Sequence, residues 1–245
     1  SLSKDGKSMY VITSEWSNEF KNIEDKNSEP MYYENLPFRF DTRGIVYNKR
    51  AHVYKVNIRT KKFSKIIDGD AKEIISIESL VEGDRGLVLS YDQYNSKGTM
   101  LEEKIGAIEG SKIKEIYSKG SMGNLFYYED ELHAVGMRKR FDWPTNTTFL
   151  KISNTGNVSY KYRSFDRNIV KAEVNEDILY FLYEDSGKTL LRDGTNNVDL
   201  INSEITIKDF AFNNEQTFVI ANSFSNPDEI YELNNGQLTK ISKAN

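Results

Sequence analysis

TFLKISNTGNVSYKY, residues 148–162, is a short β-run, a polar turn and a second β-run that ends on a large side chain. The same pattern returns in HVYKVNIRTKKFSKII from His52, KIGAIEGSKIKEIY from Lys104, TLLRDGTNNVDLIN from Thr189 and EIYELNNGQLTKIS from Glu229. The starts lie about 40 to 50 residues apart, the period of a four-stranded propeller blade. The turns Asn154-Thr155-Gly156-Asn157, Asp193-Gly194-Thr195 and Asn234-Asn235-Gly236 supply residues that tolerate positive φ in tight hairpins. A lone hairpin cannot bury its own apolar face, whereas copies in series bury theirs blade against blade. The expected fold is all-β, a propeller of four-stranded antiparallel blades over residues 1–245, with five blades visible and the first incomplete.

Composition agrees with that reading. Aromatic residues make up 12% of 245 residues, which suits strands whose rings pack between stacked sheets. A net charge of −4 gives no field for a polyanion, so nucleic acid and anionic membrane are not expected partners. Cysteine is absent; disulfides, thiolate chemistry and cysteine ligation of a metal are therefore excluded, and no cofactor is expected. No apolar run approaches the ~20 residues of a membrane helix, and no signal peptide opens the chain. Cytoplasmic location is the default expectation.

Each of the last four units offers four β-candidates. They are 74–80, 86–91, 103–108 and 112–117; 124–128, 131–138, 147–152 and 158–162; 169–174, 178–183, 189–192 and 197–201; and 205–212, 217–222, 229–233 and 236–241. The acidic and Asn residues joining the first and second strands (82–85, 129–130, 175–177 and 213–215) read as hairpin chemistry rather than calcium ligands. Unit one differs. It opens on a turn at 3–7 and continues with strand two at 8–14, with nothing upstream to form strand one. Beginning halfway through a blade leaves an edge unpaired, and the chain reads as a piece of something longer. Between strands two and three lies an insertion, 15–50, holding Trp16, Phe20, Tyr32, Tyr33, Phe38 and Phe40. Insertions of this length are functional or disordered, and this one is too aromatic for simple disorder.

Both ends carry a family pattern. SKDGKSMYVIT, from Ser3, resembles the "S-P-D-G-K, then apolar strand" element of propellers in the prolyl oligopeptidase family, with Lys4 in place of the usual Pro. LPFRFDTRG followed by HVYKVNIRTKKFSKIIDGD is similar to the matching stretch of acylaminoacyl peptidases and related dipeptidyl peptidases, on Arg39, Asp41, Gly44, His52, Tyr54, Val56, Gly69 and Asp70. The last residues resemble "S-x-x-x-P-x-E-L-Y, then L-T-x-x-N", on Pro227, Glu229, Tyr231, Leu238 and Asn245. The resemblance implies a usually seven-bladed propeller. It also implies an α/β-hydrolase domain of the same parent chain after residue 245, a serine peptidase activity there, and short peptides as substrates.

The residues present do not supply that chemistry themselves. A nucleophile elbow needs Gly-x-Ser-x-Gly, and Gly120-Ser121-Met122-Gly123 has the wrong spacing. Of two histidines, His52 and His133, both fall inside expected strands, where packing rather than base catalysis is the expected role. No catalytic residue and no metal ligand is assigned. Candidates for contact with substrate or with the hydrolase domain are Trp16, Tyr32, Tyr33, Arg39, Arg138, Arg140 and Trp143. The basic run 138–140 is most simply a solvated loop; the sharper reading sets it against a peptide carboxylate. Asn146-Thr147-Thr148 and Asn157-Val158-Ser159 fit the glycosylation pattern, which is common by chance.

These features favour a non-catalytic propeller that limits the active site of an acylaminoacyl or oligopeptidase-type serine peptidase to short peptides. The alternative is a stand-alone, TolB-like propeller that serves as a protein-interaction platform. A propeller lactonase or sugar hydrolase would need convergent carboxylates or a metal cluster, and the sequence offers none. With strand one missing, the expectation is an open arc or strained ring that self-associates through exposed blade faces.

Overall fold

In the computed structural model, residues 1–18, 33–40, 44–84, 86–139, 145–161, 165–201, 204–213 and 216–242 are described. The strands are β1 (Ser8–Trp16), β2 (Arg39–Phe40), β3 (Gly44–Ile45), β4 (Lys49–Asn57) and β5 (Phe63–Ile67), followed by one helical turn, α1 (Gly69–Lys72). Next come β6 (Ile74–Gly83), β7 (Gly86–Tyr94), β8 (Leu101–Glu109) and β9 (Lys112–Tyr117), then β10 (Ser121–Tyr128), β11 (Glu131–Met137), β12 (Thr148–Ile152) and β13 (Val158–Tyr160). The remainder are β14 (Ile169–Asn175), β15 (Ile178–Asp185), β16 (Lys188–Asp193), β17 (Val198–Asp199), β18 (Thr206–Asn213), β19 (Gln216–Ser223), β20 (Asn226–Asn234) and β21 (Gln237–Lys240).

Among the described residues there are four sheets of four strands, in the order β6-β7-β8-β9, β10-β11-β12-β13, β14-β15-β16-β17 and β18-β19-β20-β21. The first blade is the three-stranded sheet β1-β4-β5. Chain order and spatial order coincide in each, the antiparallel meander of a propeller blade. The turns follow from their residues. Glu129-Asp130 and Glu176-Asp177 each hold both central φ values positive, as does Asn235-Gly236, the geometry of the hairpin turn whose twist matches its strands.

The first blade departs from the expectation that nothing fills its strand-one position. Leu2 bridges Met9, the Ser1 ammonium donates to the Tyr10 carbonyl (3.1 Å), and the Tyr10 amide donates to the Ser1 carbonyl (2.7 Å). Ser1, Leu2 and Ser3 therefore lie beside β1 on the edge away from β4. The turn at 3–7 sits where it was expected, closed by Ser3 N–H to Ser8 O (2.9 Å).

The chain divides into two compact units: Ser1–Leu125 with Arg138–Phe141 and Ser153–Asn157, and Phe126–Met137, Asp142–Ile152 and Val158–Asn245. In the first, Tyr10, Val53 and Ile67 of blade one pack with Ile74, Ile77, Leu80, Leu89 and Tyr91 of blade two. In the second, the Phe149 ring meets Phe126 (5.8 Å between centroids) and Phe181 (5.1 Å) edge to face. A further cluster joins Leu182 and Leu191 to Ile207, Phe210, Val219 and Ala221 of the last blade. On the opposite side of that blade Ile220 and Ile230 pair across the sheet, with Ile241 bonded to Ile230, and all three are exposed.

Both histidines are packed, as expected of strand positions. His52 is fully buried, its Nδ1 3.1 Å from the Gly69 amide and 3.2 Å from Asp68 Oδ1. With the amide as donor, the ring is neutral and carries its proton on Nε2. A Cβ on Gly69 would stand 2.0 Å from the Ala51 carbonyl oxygen, so only glycine brings α1 this close to β4. His133 is equally buried and stacks on Phe126 at 5.5 Å.

Phe149→Ala removes a fully buried ring and is expected to cost ~3–5 kcal/mol by urea unfolding, while Phe224→Ala, at a fully exposed ring, changes stability by less than ~0.5 kcal/mol. Equal losses would contradict the packing. A pH effect follows from the histidines. Burial, the largest influence on each, pushes both rings below the ordinary value of 6.5. As pH falls the unfolded chain takes up their protons first, so their contribution is fully present above about 6.5 and is lost as pH drops toward the folded values. The urea midpoint should fall between about pH 7 and pH 5, and less steeply in His133→Phe. A midpoint that is flat or rises on acidification would contradict the assignment.

Candidate functional site

The insertion of blade one builds the most elaborate surface of the first unit. The Tyr33 ring stacks on Phe38 (4.4 Å, 16°) and meets Tyr47 edge-on (5.5 Å), and Tyr47 leans on Tyr94 of β7 (6.4 Å). Main-chain bonds fix the stack: Tyr94 Oη donates to the Pro37 carbonyl (2.8 Å), and the Leu36 amide donates to the Gly98 carbonyl (2.7 Å). Burial pushes the Tyr94 phenol up to about 12, so it remains a donor across the physiological range. Gly98 has φ +64, and a Cβ there would stand 1.9 Å from Asn35 Oδ1. The insertion is thus clamped onto the β7–β8 hairpin, and β2 and β3 form its own two-residue ladder.

Beneath it runs a groove of about 410 Å³ between β1 and β6, lined by Ile12, Thr13, Ser14, Val46, Lys49, Ala51 and the stretch 75–78. Its volume falls within the ~300–1,000 Å³ of small-molecule and peptide pockets. Val46 ties the groove to the clamp, since it packs with Ile75, Leu101 and Tyr94. The floor is aliphatic. Its polar wall holds the Lys49 ammonium, which has no ion-pair partner among the described residues, and Ser76, which donates to Asp92 (2.5 Å). The groove has the size and lining to take an extended apolar segment with a negative group, and its described lining holds neither histidine nor cysteine. Nothing in the sequence pattern pointed to it, because its two walls are about 60 residues apart along the chain.

The sequence candidates fall as follows. Trp16 ends β1, half-buried and paired with Lys49 beside the groove. Tyr33 belongs to the aromatic stack, and Arg39 is exposed on β2. Arg138 is exposed, and its carbonyl accepts from Tyr117 Oη. Tyr32, Arg140 and Trp143 lie outside the described residues. Tyr33 and Arg39 therefore lie in the insertion and Trp16 in the regular strand that leads into it, and among the described residues no hydrogen bond or ion pair joins them to Arg138.

One group of side chains has metal-ligand types, His52, Asp68 and Asp70, with ligand atoms within 4.8 Å of one another. Their geometry serves the helical turn: Asp68 caps α1, His52 Nδ1 takes the Gly69 amide, and Asp70 accepts from the Asn18 amide (3.1 Å). The one ring nitrogen directed at the carboxylates is already occupied by a hydrogen bond.

No protein-family model and no curated protein matches the chain. Solved structures do match. The acylaminoacyl peptidase of Pyrococcus horikoshii superposes with a TM-score of 0.72 at 12% identity, over 98% of this chain and 37% of that one. An acylaminoacyl peptidase in complex with Z-Gly-Gly-Phe-chloromethyl ketone gives 0.70 at 12% identity, over 98% and 36%. The β-propeller domain of the Trilobed protease from Pyrococcus furiosus, described as having an open velcro topology, gives 0.57 at 12% identity, over all of this chain and 83% of that one. The chain spans little more than a third of the length of the acylaminoacyl peptidases it matches. At these identities the likeness is one of fold, and that fold is the β-propeller.

Proposed function

We propose that this chain is the non-catalytic propeller of an acylaminoacyl or oligopeptidase-type serine peptidase, and that it limits access to the active site to short peptides. The observation that carries this is the pairing of a near-complete fold match with coverage of only about a third of the matched peptidase. The remainder of such a chain has room for a hydrolase domain, and the resemblance at residues 227–245 supports reading that domain as following Asn245. Gating by a propeller is steric and dielectric: a wall of rigid sheets excludes folded proteins and keeps the reacting centre away from bulk water. The insertion, with Trp16, Tyr33 and Arg39, and the exposed Arg138 are the proposed contacts with peptide or hydrolase domain. Among the described residues no helix is long and apolar enough to cross a membrane.

Self-association belongs to the same proposal, through the exposed Ile220, Ile230 and Ile241 of the last blade, an apolar face of the kind that drives contact. Purified residues 1–245 should take no label from a fluorophosphonate probe and should cleave neither acyl-peptides nor p-nitroanilides, and the same sample should scatter light above the mass of a 28.3 kDa monomer. A labelled serine would overturn the non-catalytic role. A clean monomer at high concentration would remove the self-association alone.

A further inference from the structure

The turn that joins β20 to β21 carries the chain's single Asn-Gly step, Asn235-Gly236. Both residues are exposed and hold positive φ, +50 and +77. A two-residue loop of this type is closed by the pair that flanks it, here Asn234 opposite Gln237, with Leu233 opposite Leu238 next along the ladder. The turn asparagines Asn57, Asn95 and Asn197 have their side-chain oxygens engaged, by the Thr60 amide (2.8 Å), the Thr99 amide (2.9 Å) and the Arg192 guanidinium (2.7 Å). Asn235 makes no side-chain hydrogen bond among the described residues. Its amide carbon is therefore open to attack, and glycine, without a Cβ, leaves the next main-chain nitrogen unshielded.

We propose that Asn235 is a site of spontaneous modification, at which opening of the β20–β21 hairpin is converted into a permanent change of the main chain. The proposal stands apart from the peptidase reading, since it needs no other domain. When the turn opens, the Gly236 nitrogen attacks Cγ of Asn235. The N–Cγ bond forms, the Cγ–Nδ2 bond breaks, and Nδ2 leaves as ammonia with the proton that the Gly236 nitrogen gives up. Water then opens the resulting succinimide at either carbonyl. Opening at Cγ yields aspartate; opening at the main-chain carbon of residue 235 yields isoaspartate, whose chain runs through Cβ and Cγ. The closed turn restrains the reaction, because the ladder on both sides fixes the backbone that must rotate. Isoaspartate cannot restore that turn, since its extra main-chain methylene lengthens a loop that the Asn234–Gln237 pair holds to two residues. There is little slack at the tip: even a Cβ on Gly236 would stand 3.4 Å from the Leu200 carbonyl oxygen. Strand β21 is then released. Leu238 leaves the cluster it shares with Leu233, and Lys240 leaves Glu229, which is 2% exposed and 2.7 Å away.

The test incubates residues 1–245 in mildly alkaline buffer at body temperature and maps, peptide by peptide, the mass rise that comes with replacing an amide NH2 by OH. Asn235 should be the first asparagine to convert, and protein L-isoaspartyl methyltransferase should label the peptide that carries it. A short peptide spanning Leu233 to Leu238 has no ladder and should convert at least ~10-fold faster than the folded chain. Conversion of other asparagines with Asn235 intact would overturn the site, and equal rates in chain and peptide would overturn the restraint by the turn. The isoaspartyl form, separated by anion exchange, should lose hydrogen-exchange protection along β21. Asn235→Asp carries the same charge on an ordinary main chain, tolerates positive φ and should keep that protection. Protection retained in the isoaspartyl form, or lost in both, would overturn the release of β21.

Discussion

A four-stranded antiparallel sheet with two apolar faces is unstable in water unless each face finds another sheet, and this single constraint organises the protein. Phe149 is the clearest instance: fully buried, it lies edge-on to Phe126 of its own blade and to Phe181 of the next. Leu182 and Leu191 do the same against Ile207 and Phe210, and Val53 and Ile67 against Leu80 and Leu89. Each such contact removes apolar area worth roughly 25 cal/mol per Å², and neighbouring sheets supply the stability that an isolated hairpin lacks. The repeat therefore exists because its faces must be paired, and regularity in the sequence is the record of that pairing.

That record made the blades legible. Strand β9 begins and ends where the alternation of Lys112 to Tyr117 put it, and Glu129, Asp130, Glu176, Asp177, Asn235 and Gly236 hold positive φ in expected turns. The misses share one cause, distance along the chain. The part played by Ser1, Leu2 and Ser3 depends on partners in β1, and three residues carry no periodicity of their own. The turn of α1 is held by His52 and by the Gly69 approach to Ala51, contacts that link residues 51–52 to 68–69. A run such as IDGD reads locally as nothing more than a turn. The groove has walls from β1 and β6, and no window of sequence contains both.

The candidate site was readable in kind more than in place. An aromatic insertion was visible from composition, and the structure resolves Tyr33 and Phe38 into a stack clamped by Tyr94 onto blade two. Clamping of this sort orders an insertion without a long helix or strand, since two main-chain acceptors and one glycine do the positioning. Arg138, the other exposed cationic candidate, instead has its carbonyl accepting from Tyr117 Oη. Chemistry limits the function in the same direction. The two histidines are packed core residues, Asp68 beside His52 caps a helical turn, and the described lining of the groove offers hydrogen-bonding groups and the Lys49 cation.

The most direct test of the proposed division of labour is to sequence the parent gene beyond the codon for Asn245. The account predicts an open reading frame that continues into an α/β-hydrolase domain with a Gly-x-Ser-x-Gly elbow, followed by an Asp and then a His, the chain order of that fold. A stop codon immediately after Asn245, or a continuation without that triad, would contradict it.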